Sequence, residues 1–413
     1  MSGVAQASLR TNFVWTVAGN VIYAAGQWAI LSLLAKMGGS AMLGAYALAV
    51  AVSAPVVMLS HLNLRAVLAT DSNRIHPFGD YLAVRAFSTA LALLVVTFVA
   101  MVIAESWELG AAIFAVGLGQ SAETVSDIFY GAMQRRERMD QVAQSMIVRT
   151  VLSVLALVAM LWATGSLLWA VTALAAGRVA VLLAFDARAG SAGEDLSRLG
   201  WRSAWRVLRT ALPLGFVLML VSLNTNLPRY AIEHFRGVPE LGIFAAVVSF
   251  ITVGSTIVNA FGQSSTPRMA RHFAAKEVRQ FLRLVYQMTG VAFGLGVAGM
   301  LVSWLLGSFV LRLLYRPEYA EYDGLLVAVM AAGTLSYMAV ALGYGVTSAR
   351  VFDAQMPLFG VAAVCCGVAS WLLVPPFGLN GAVLALALGA LVQISGQVVI
   401  LRLAIRKQRE AAL

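Results

Sequence analysis

The chain has 413 residues, 60% of them hydrophobic and only 12% charged, with a formal net charge of +10. A soluble domain carries roughly 25% charged residues, so a water-covered globule is excluded. The basic excess is spread between apolar segments rather than gathered in one patch, which argues against nucleic acid as the partner.

Twelve apolar stretches follow one another, at 12–35, 41–62, 81–103, 108–131, 142–163, 167–187, 209–232, 240–262, 284–304, 324–347, 354–376 and 379–402. As helices they match a hydrocarbon core about 30 Å thick. Helix is the default because backbone polar groups in lipid must bond within their own segment. Barrel strands would alternate over about 10 residues, and none of these stretches does. The expected fold class is an all-α polytopic membrane protein.

Span one carries Thr16, Asn20, Tyr23 and Gln27. It is full length and lacks a small-residue cleavage site, so it reads as a retained span and not a signal peptide. Span two opens on Leu43-Gly44-Ala45-Tyr46-Ala47, and span eight on Leu241-Gly242-Ile243-Phe244-Ala245. This recurrence divides the chain into a six-helix lobe (1–187), a connection (188–208) and a second six-helix lobe (209–413).

Span four places Gln120, Glu123, Thr124, Asp127, Gly131 and Gln134 on one helical face. Two readings stay open for it. Glu123 and Asp127 bind a proton or Na⁺ for coupling, or they form structural bridges to Arg149 on span five or Arg178 on span six. Arg178 lies too deep to snorkel, and a lone Arg there costs at least about 2.5–3.5 kcal/mol. It therefore needs water or a partner, either an anionic substrate or Glu123.

The connection opens with Gly190, Ser191 and Gly193, a flexible stretch. Leu196, Leu199, Trp201, Trp205 and Leu208 then alternate with Arg198, Arg202, Arg206 and Arg209. That pattern suits an amphipathic helix on the inner leaflet or a cytoplasmic extension of span seven. Span seven holds Asn224, Asn226, Pro228, Arg229 and Glu233. Pro228 is expected to kink it, and Glu233 stands four residues beyond Arg229, at ion-pair spacing.

Span eight holds Thr252, Ser255, Thr256, Asn259 and Gln263, and span twelve Gln393 and Gln397. Such groups are more often helix–helix glue than ligand sites. Their collective value is that spans one, seven and eight each have a polar face to turn toward one cavity. Cys365 and Cys366, adjacent in span eleven, read as small packing residues.

No catalytic constellation is visible. His61, His76, His234 and His272 lack metal-ligand spacing, and there is no nucleophile motif or Gly-rich phosphate loop. No catalytic residue, metal or cofactor is expected. All outer connections are short, the longest at about 305–323, which leaves no room for the catalytic loop of a polymerase or glycosyltransferase. With the N-terminus inside, the outer side holds only Lys36, Arg229, Arg236, Arg312 and Arg316, while nearly all other cations fall on the opposite side. The positive-inside rule then puts both termini in the cytoplasm.

Several segments carry a family resemblance. Asn12-Phe13-Val14-Trp15-Thr16-Val17-Ala18-Gly19-Asn20 through Tyr23, with Gln27-Trp28, resembles the start of bacterial polysaccharide exporters. Leu62-Asn63-Leu64-Arg65-Ala66-Val67 with Thr70-Asp71, the stretch Tyr130 to Met139, and the run Asn224 to Arg229 are similar in kind. Together they resemble the polysaccharide transporter branch of the multidrug/oligosaccharidyl-lipid/polysaccharide exporter superfamily, which includes the Wzx-type O-antigen flippases.

The resemblance implies two pseudo-symmetric six-helix lobes around a V-shaped cavity. It implies flipping of an undecaprenyl-pyrophosphate-linked oligosaccharide across the bacterial inner membrane by alternating access. A cationic cavity suits a pyrophosphate, with Arg65, Arg85, Arg149, Arg178 and Arg229 as candidates. The expected substrate residues are Arg178, Arg229, Asn224, Asn226, Asn20, Gln27, Asn259 and Arg65, and the expected ion-coupling residues are Glu123 and Asp127. Membrane lipid, a polysaccharide polymerase and chain-length proteins are the expected partners. The related lipid II flippases have two further C-terminal helices and charged residues in span one, features this sequence does not show. The competing reading is an ion-coupled exporter of small amphipathic compounds.

Overall fold

The computed structural model describes residues 9–70, 76–194 and 200–410. Asp71 and Arg74, and Leu196, Arg198 and Leu199 of the connection, lie outside the described residues. The described residues form helices and turns without strands: α1 (Leu9–His61), α2 (Leu64–Thr70), α3 (Phe78–Ile103), α4 (Trp107–Arg135), α5 (Met139–Thr164), α6 (Leu167–Val181), a π-helical turn (Leu182–Asp186), α7 (Ala187–Ser191), α8 (Trp201–Arg236), α9 (Val238–Ala274), α10 (Val278–Leu314), a 3₁₀ turn (Pro317–Tyr322), α11 (Asp323–Ser348) and α12 (Gln355–Glu410).

Nine of the described helical segments are long and apolar enough to cross a membrane. The 29-residue α4, with its polar stripe, adds a tenth of matching length. With 53 and 56 residues, α1 and α12 are each long enough to cross twice. The chain is thus an all-α, multi-pass membrane protein, and its described helices have length for twelve crossings.

The first and last pairs of spans are separated by a single residue each. Gly39 (φ 76°) breaks α1 and Gly378 (φ 56°) breaks α12, in a backbone region that glycine enters without a Cβ clash. Glycines with positive φ recur after the first and fifth crossings of both halves: Gly39 and Gly165, then Gly237 and Gly378. After the second and fourth crossings the left-handed position falls to larger residues: Leu62 with Asn63 and Glu137, then Lys276 and Arg350. The repeat is therefore written in turn chemistry as well as in the Leu-Gly motif.

Two compact units result. One comprises Met1–Gly38 with Ala45–Ser222, the other Gly39–Gly44 with Leu223–Leu413. The division falls inside α8, beyond the connection 188–208. Where the described residues cover that connection, Trp201 to Leu208 are the first two turns of α8, so this part extends span seven. α8 continues through Pro228 as one helix. Residues 268–283, which carry Arg268, Arg271, Lys276, Arg279 and Arg283 between spans eight and nine, are likewise mostly helical, with α9 running to Ala274 and α10 starting at Val278.

The core of the first unit joins Leu62, Leu64, Leu68, Phe78, Tyr81, Ile128, Phe129, Met133 and Val142. In the second unit α11 is the central element, packed against α9, α10 and α12. Its tyrosines fasten it to α9: Tyr337 donates to the Ile251 carbonyl at 2.9 Å and Tyr344 to Asn259 Oδ1 at 3.1 Å. The repeated motif also has a structural role here. A Cβ on Gly44 would strike the Val238 carbonyl, and one on Gly242 would strike the Ser40 carbonyl. Both copies keep glycine because their backbones touch.

Candidate functional site

In the first unit, α4 brings its stripe against α1, α5 and α6. Glu123 is the meeting point. Its Oε1 lies 3.5 Å from Arg178 Nε and 3.8 Å from Arg149 Nε, and its Oε2 is 3.4 Å from the Tyr23 hydroxyl. Both arginine side chains are 6% exposed. Gly119 allows this approach, because a Cβ there would come within 3.3 Å of Arg178 Nη1. Tight Arg–carboxylate pairs are bidentate at about 2.7–2.9 Å, so Glu123 holds both guanidiniums loosely. Arg149 Nη1 is buried without a hydrogen-bond partner.

Gln27 joins Glu123, Arg149, Thr150, Ser153 and Arg178 around a cavity of about 10 Å³, roughly the room one water needs. Asn20, on the same helix, is exposed and donates to the Thr16 carbonyl at 2.9 Å. One turn along α4 from Glu123, Asp127 lies 3.1 Å from Arg65 Nη1 and 3.2 Å from His61 Nε2. Arg65 Nε also donates to Gln134 at 3.1 Å. Tyr130 links the two groups: Arg65 Cζ is 5.7 Å and Arg149 Cζ 5.5 Å from its ring centroid.

Arg85 on α3 is completely buried and donates to the Ser60 carbonyl at 3.1 Å, with Nε and Nη2 unpartnered. Among the described residues, Arg65, Arg85, Arg149 and Arg178 thus lie in the same unit as the carboxyls of Glu123, Asp127 and Asp186, and Asp80 on α3 is buried there as well. Asp186 does not stand out in the sequence, because it sits at a span end two residues before Arg188.

The basic run after span four does different work. Arg136 donates to the Ala189 and Gly190 carbonyls at 2.7 and 3.1 Å and to that of Ala192, covering the C-terminal end of α7, where a cation is favoured. Burial lowers its pKa. Arg135 pairs with Glu194 at 2.7 Å. Arg138 donates twice to Asp140, at 2.9 and 2.8 Å, and those bonds lower the Asp140 pKa. At the far end of the connection, Asp80 accepts the Gly200 N–H at 2.9 Å and His76 Nδ1 lies 2.6 Å from the Ser203 hydroxyl. The stretch Tyr130 to Met139, on which part of the resemblance rests, thus anchors the connection through its arginines.

In the second unit, Arg229 Nη1 donates to Asn226 Oδ1 at 3.0 Å, one turn back on α8. Asn224 is 6% exposed; its Nδ2 has no partner, and its carbonyl accepts the Cys366 thiol at 3.4 Å. Asn259, on α9, accepts from Tyr344 instead. Of the expected substrate residues, Gln27 and Arg178 meet around Glu123, Arg65 adjoins that group through Tyr130, and Asn226 meets Arg229.

Residues 213–356 match the MatE family. The chain is similar to the capsular polysaccharide biosynthesis protein CapF of Staphylococcus aureus, 23% identical over 392 residues that cover 92% of this chain and 96% of that one. Among solved structures it is similar to the inward-facing conformation of a multidrug resistance MATE family transporter of the MOP superfamily, at 14% identity and TM-score 0.66, covering 96% and 95% of the two chains. It is also similar to the lipid II flippase MurJ in an inward closed conformation, at 10% identity and TM-score 0.71, covering 94% of this chain and 87% of that one. The fold is that of MOP-superfamily transporters.

Proposed function

We propose that this chain, a multi-pass membrane protein with the fold of MOP-superfamily transporters, is a flippase for a lipid-linked saccharide. In this reading it carries an undecaprenyl-pyrophosphate-linked oligosaccharide from the inner to the outer leaflet of a bacterial cytoplasmic membrane by alternating access. The product would feed surface polysaccharide synthesis, whether capsule, O-antigen or exopolysaccharide. Both termini would face the cytoplasm, and a polymerase and chain-length proteins would act on the delivered product.

The observation that carries this reading is the unbalanced charge at Glu123. Two buried guanidiniums share one carboxylate at 3.5 and 3.8 Å. In a low-dielectric interior such an excess draws in an anion, and a pyrophosphate supplies one that arginine forks bind well. The similarity to CapF supports polysaccharide export over drug export. An exporter of amphipathic cations would instead need an acidic or aromatic site.

The cavity beside Arg178 admits about one water, so a phosphate enters only if Glu123 swings away. Arg178→Ala is expected to abolish surface polysaccharide while the protein stays in the membrane at normal abundance. Normal display in that variant would overturn the anion-anchor role. Arg178→Lys retaining most export would identify a simple charge contact in place of a bidentate one.

A further inference from the structure

Among the buried carboxyls, Asp186 differs from the rest. Glu123 and Asp127 each face guanidiniums, and Asp80 caps a helix start through the Gly200 N–H. Asp186 is completely buried, forms no ion pair among the described residues, and leaves Oδ2 without a partner. It closes the π-helical turn Leu182–Asp186, a backbone form that is rare and concentrated at functional sites.

Its partners are hydroxyls. Ser145 of α5 donates to Oδ1, and the Tyr130 hydroxyl of α4 lies 2.7 Å from the same Ser145 oxygen. Ser145 has one proton and gives it to Asp186, so Tyr130 donates to Ser145. Ser126 of α4 faces the carboxyl as well. The charged groups around it are Arg149 on α5 and, beyond the turn, Arg136 over the α7 carbonyls and the exposed Arg188. The Tyr130 ring in turn underlies Arg149 and Arg65.

We propose that Asp186 is a proton-binding site, and that the Ser145–Tyr130 hydroxyl chain passes its charge state to the arginines around Glu123. A proton on the carboxyl turns it from acceptor to donor. The chain then reverses, carboxyl to Ser145 to Tyr130, and the phenol becomes an acceptor beside Arg149. Loss of the Asp186 charge also leaves Arg149 with Glu123 as its facing carboxylate, one that Arg178 shares. The site therefore holds an anion more tightly when Asp186 is protonated. Placing a proton on Glu123 instead would strand two buried arginines, a costly step. The effect on transport rests on the flippase reading; proton binding itself does not.

Two measurements on the purified full chain test this. Infrared difference spectroscopy across a pH titration reads the carbonyl stretch of a protonated carboxylic acid. Wild type is expected to show a pH-dependent band that Asp186→Asn lacks. In liposomes, flipping of a fluorescent polyprenyl pyrophosphate is expected to vary with pH in wild type and to lose that dependence in Asp186→Asn. Tyr130→Phe is expected to keep the band but lose the pH dependence of flipping, which a merely structural hydroxyl would not do. An unchanged band in Asp186→Asn, or pH-dependent flipping in that variant like that of wild type, overturns the proposal. A band lost in Asp186→Asn with no flipping by any form supports the proton site and overturns the flippase reading.

Discussion

The two units share a scaffold and differ in what they bury. The first fills its interior with charge: Glu123, Asp127 and Asp186 among Arg65, Arg85, Arg149 and Arg178. The second joins its helices through neutral groups, with Tyr337 on Ile251, Tyr344 on Asn259, and Tyr315 3.1 Å from Ser249. Yet glycines of positive φ recur after the first and fifth crossings of each half; Gly39 (φ 76°, ψ −174°) and Gly237 (φ 84°, ψ 173°) share one conformation, while Gly165 (ψ 6°) and Gly378 (ψ −134°) differ. Backbone geometry tolerates few residues at such turns. Interior polarity has no such restriction, so the halves have diverged there. Charge buried in a membrane is expensive, and among the described residues most of it lies in the first unit, with Arg229 of α8 adding a partly buried guanidinium in the second.

Glu123→Gln gives the largest stability effect expected from this contrast. It leaves two buried guanidiniums without their shared counter-ion, at a cost of about 3–5 kcal/mol. Thermal unfolding of the purified chain measures it. The double variant Glu123→Gln/Arg178→Gln removes one charge of each sign and is expected to recover much of the loss, because the two residues are coupled. No recovery would mean that the arginines are balanced elsewhere.

Much of this was legible in the sequence. Span number follows from hydropathy, because each crossing needs its own apolar length. Glu123 and Arg178 stand out because ionisable side chains deep in a span are rare, and a bridge from the span-four carboxylates to Arg149 or Arg178 is one of the readings the sequence leaves open. Helix ends were less legible. Residues 268–274 and 201–208 are helical but polar, so hydropathy does not report them. Asp186 was hidden for a physical reason: at a span end beside Arg188 it looks like a solvated boundary residue. Only the π-helical turn and the packing of α4 and α5 bury it. The stretch Tyr130 to Met139 contributed to a family resemblance, while its separate tasks, a ring beneath two arginines and a tie to the connection, depend on tertiary contacts.

The turn chemistry makes a prediction of intermediate size. Gly378→Ala forces a Cβ into backbone at φ 56° and ψ −134°, a region nearly exclusive to glycine, at about 1–3 kcal/mol, and that Cβ would also lie 3.1 Å from Arg236 Nη2. Arg350 already holds a left-handed conformation with a full side chain, so Arg350→Gly is expected to leave unfolding temperature unchanged or raise it slightly. Equal losses at both positions would undo the distinction between the two classes of turn.

Tyr344→Phe probes the neutral unit and has the smallest expected effect. The hydroxyl donates to Asn259 at 3.1 Å, and a neutral hydrogen bond of this kind contributes about 0.5–1.5 kcal/mol. The ring keeps its place against Gly262 on α9, where an added Cβ would collide with it, so packing survives the change. Asn259 loses a donor but is only partly buried, which softens the desolvation cost. Export measured by surface polysaccharide is expected to stay near wild type, against the complete loss in Arg178→Ala. Strong loss of export in Tyr344→Phe, with stability retained, would show that neutral groups of the second unit carry transport chemistry, and the weight placed on the charged groups of the first would fall.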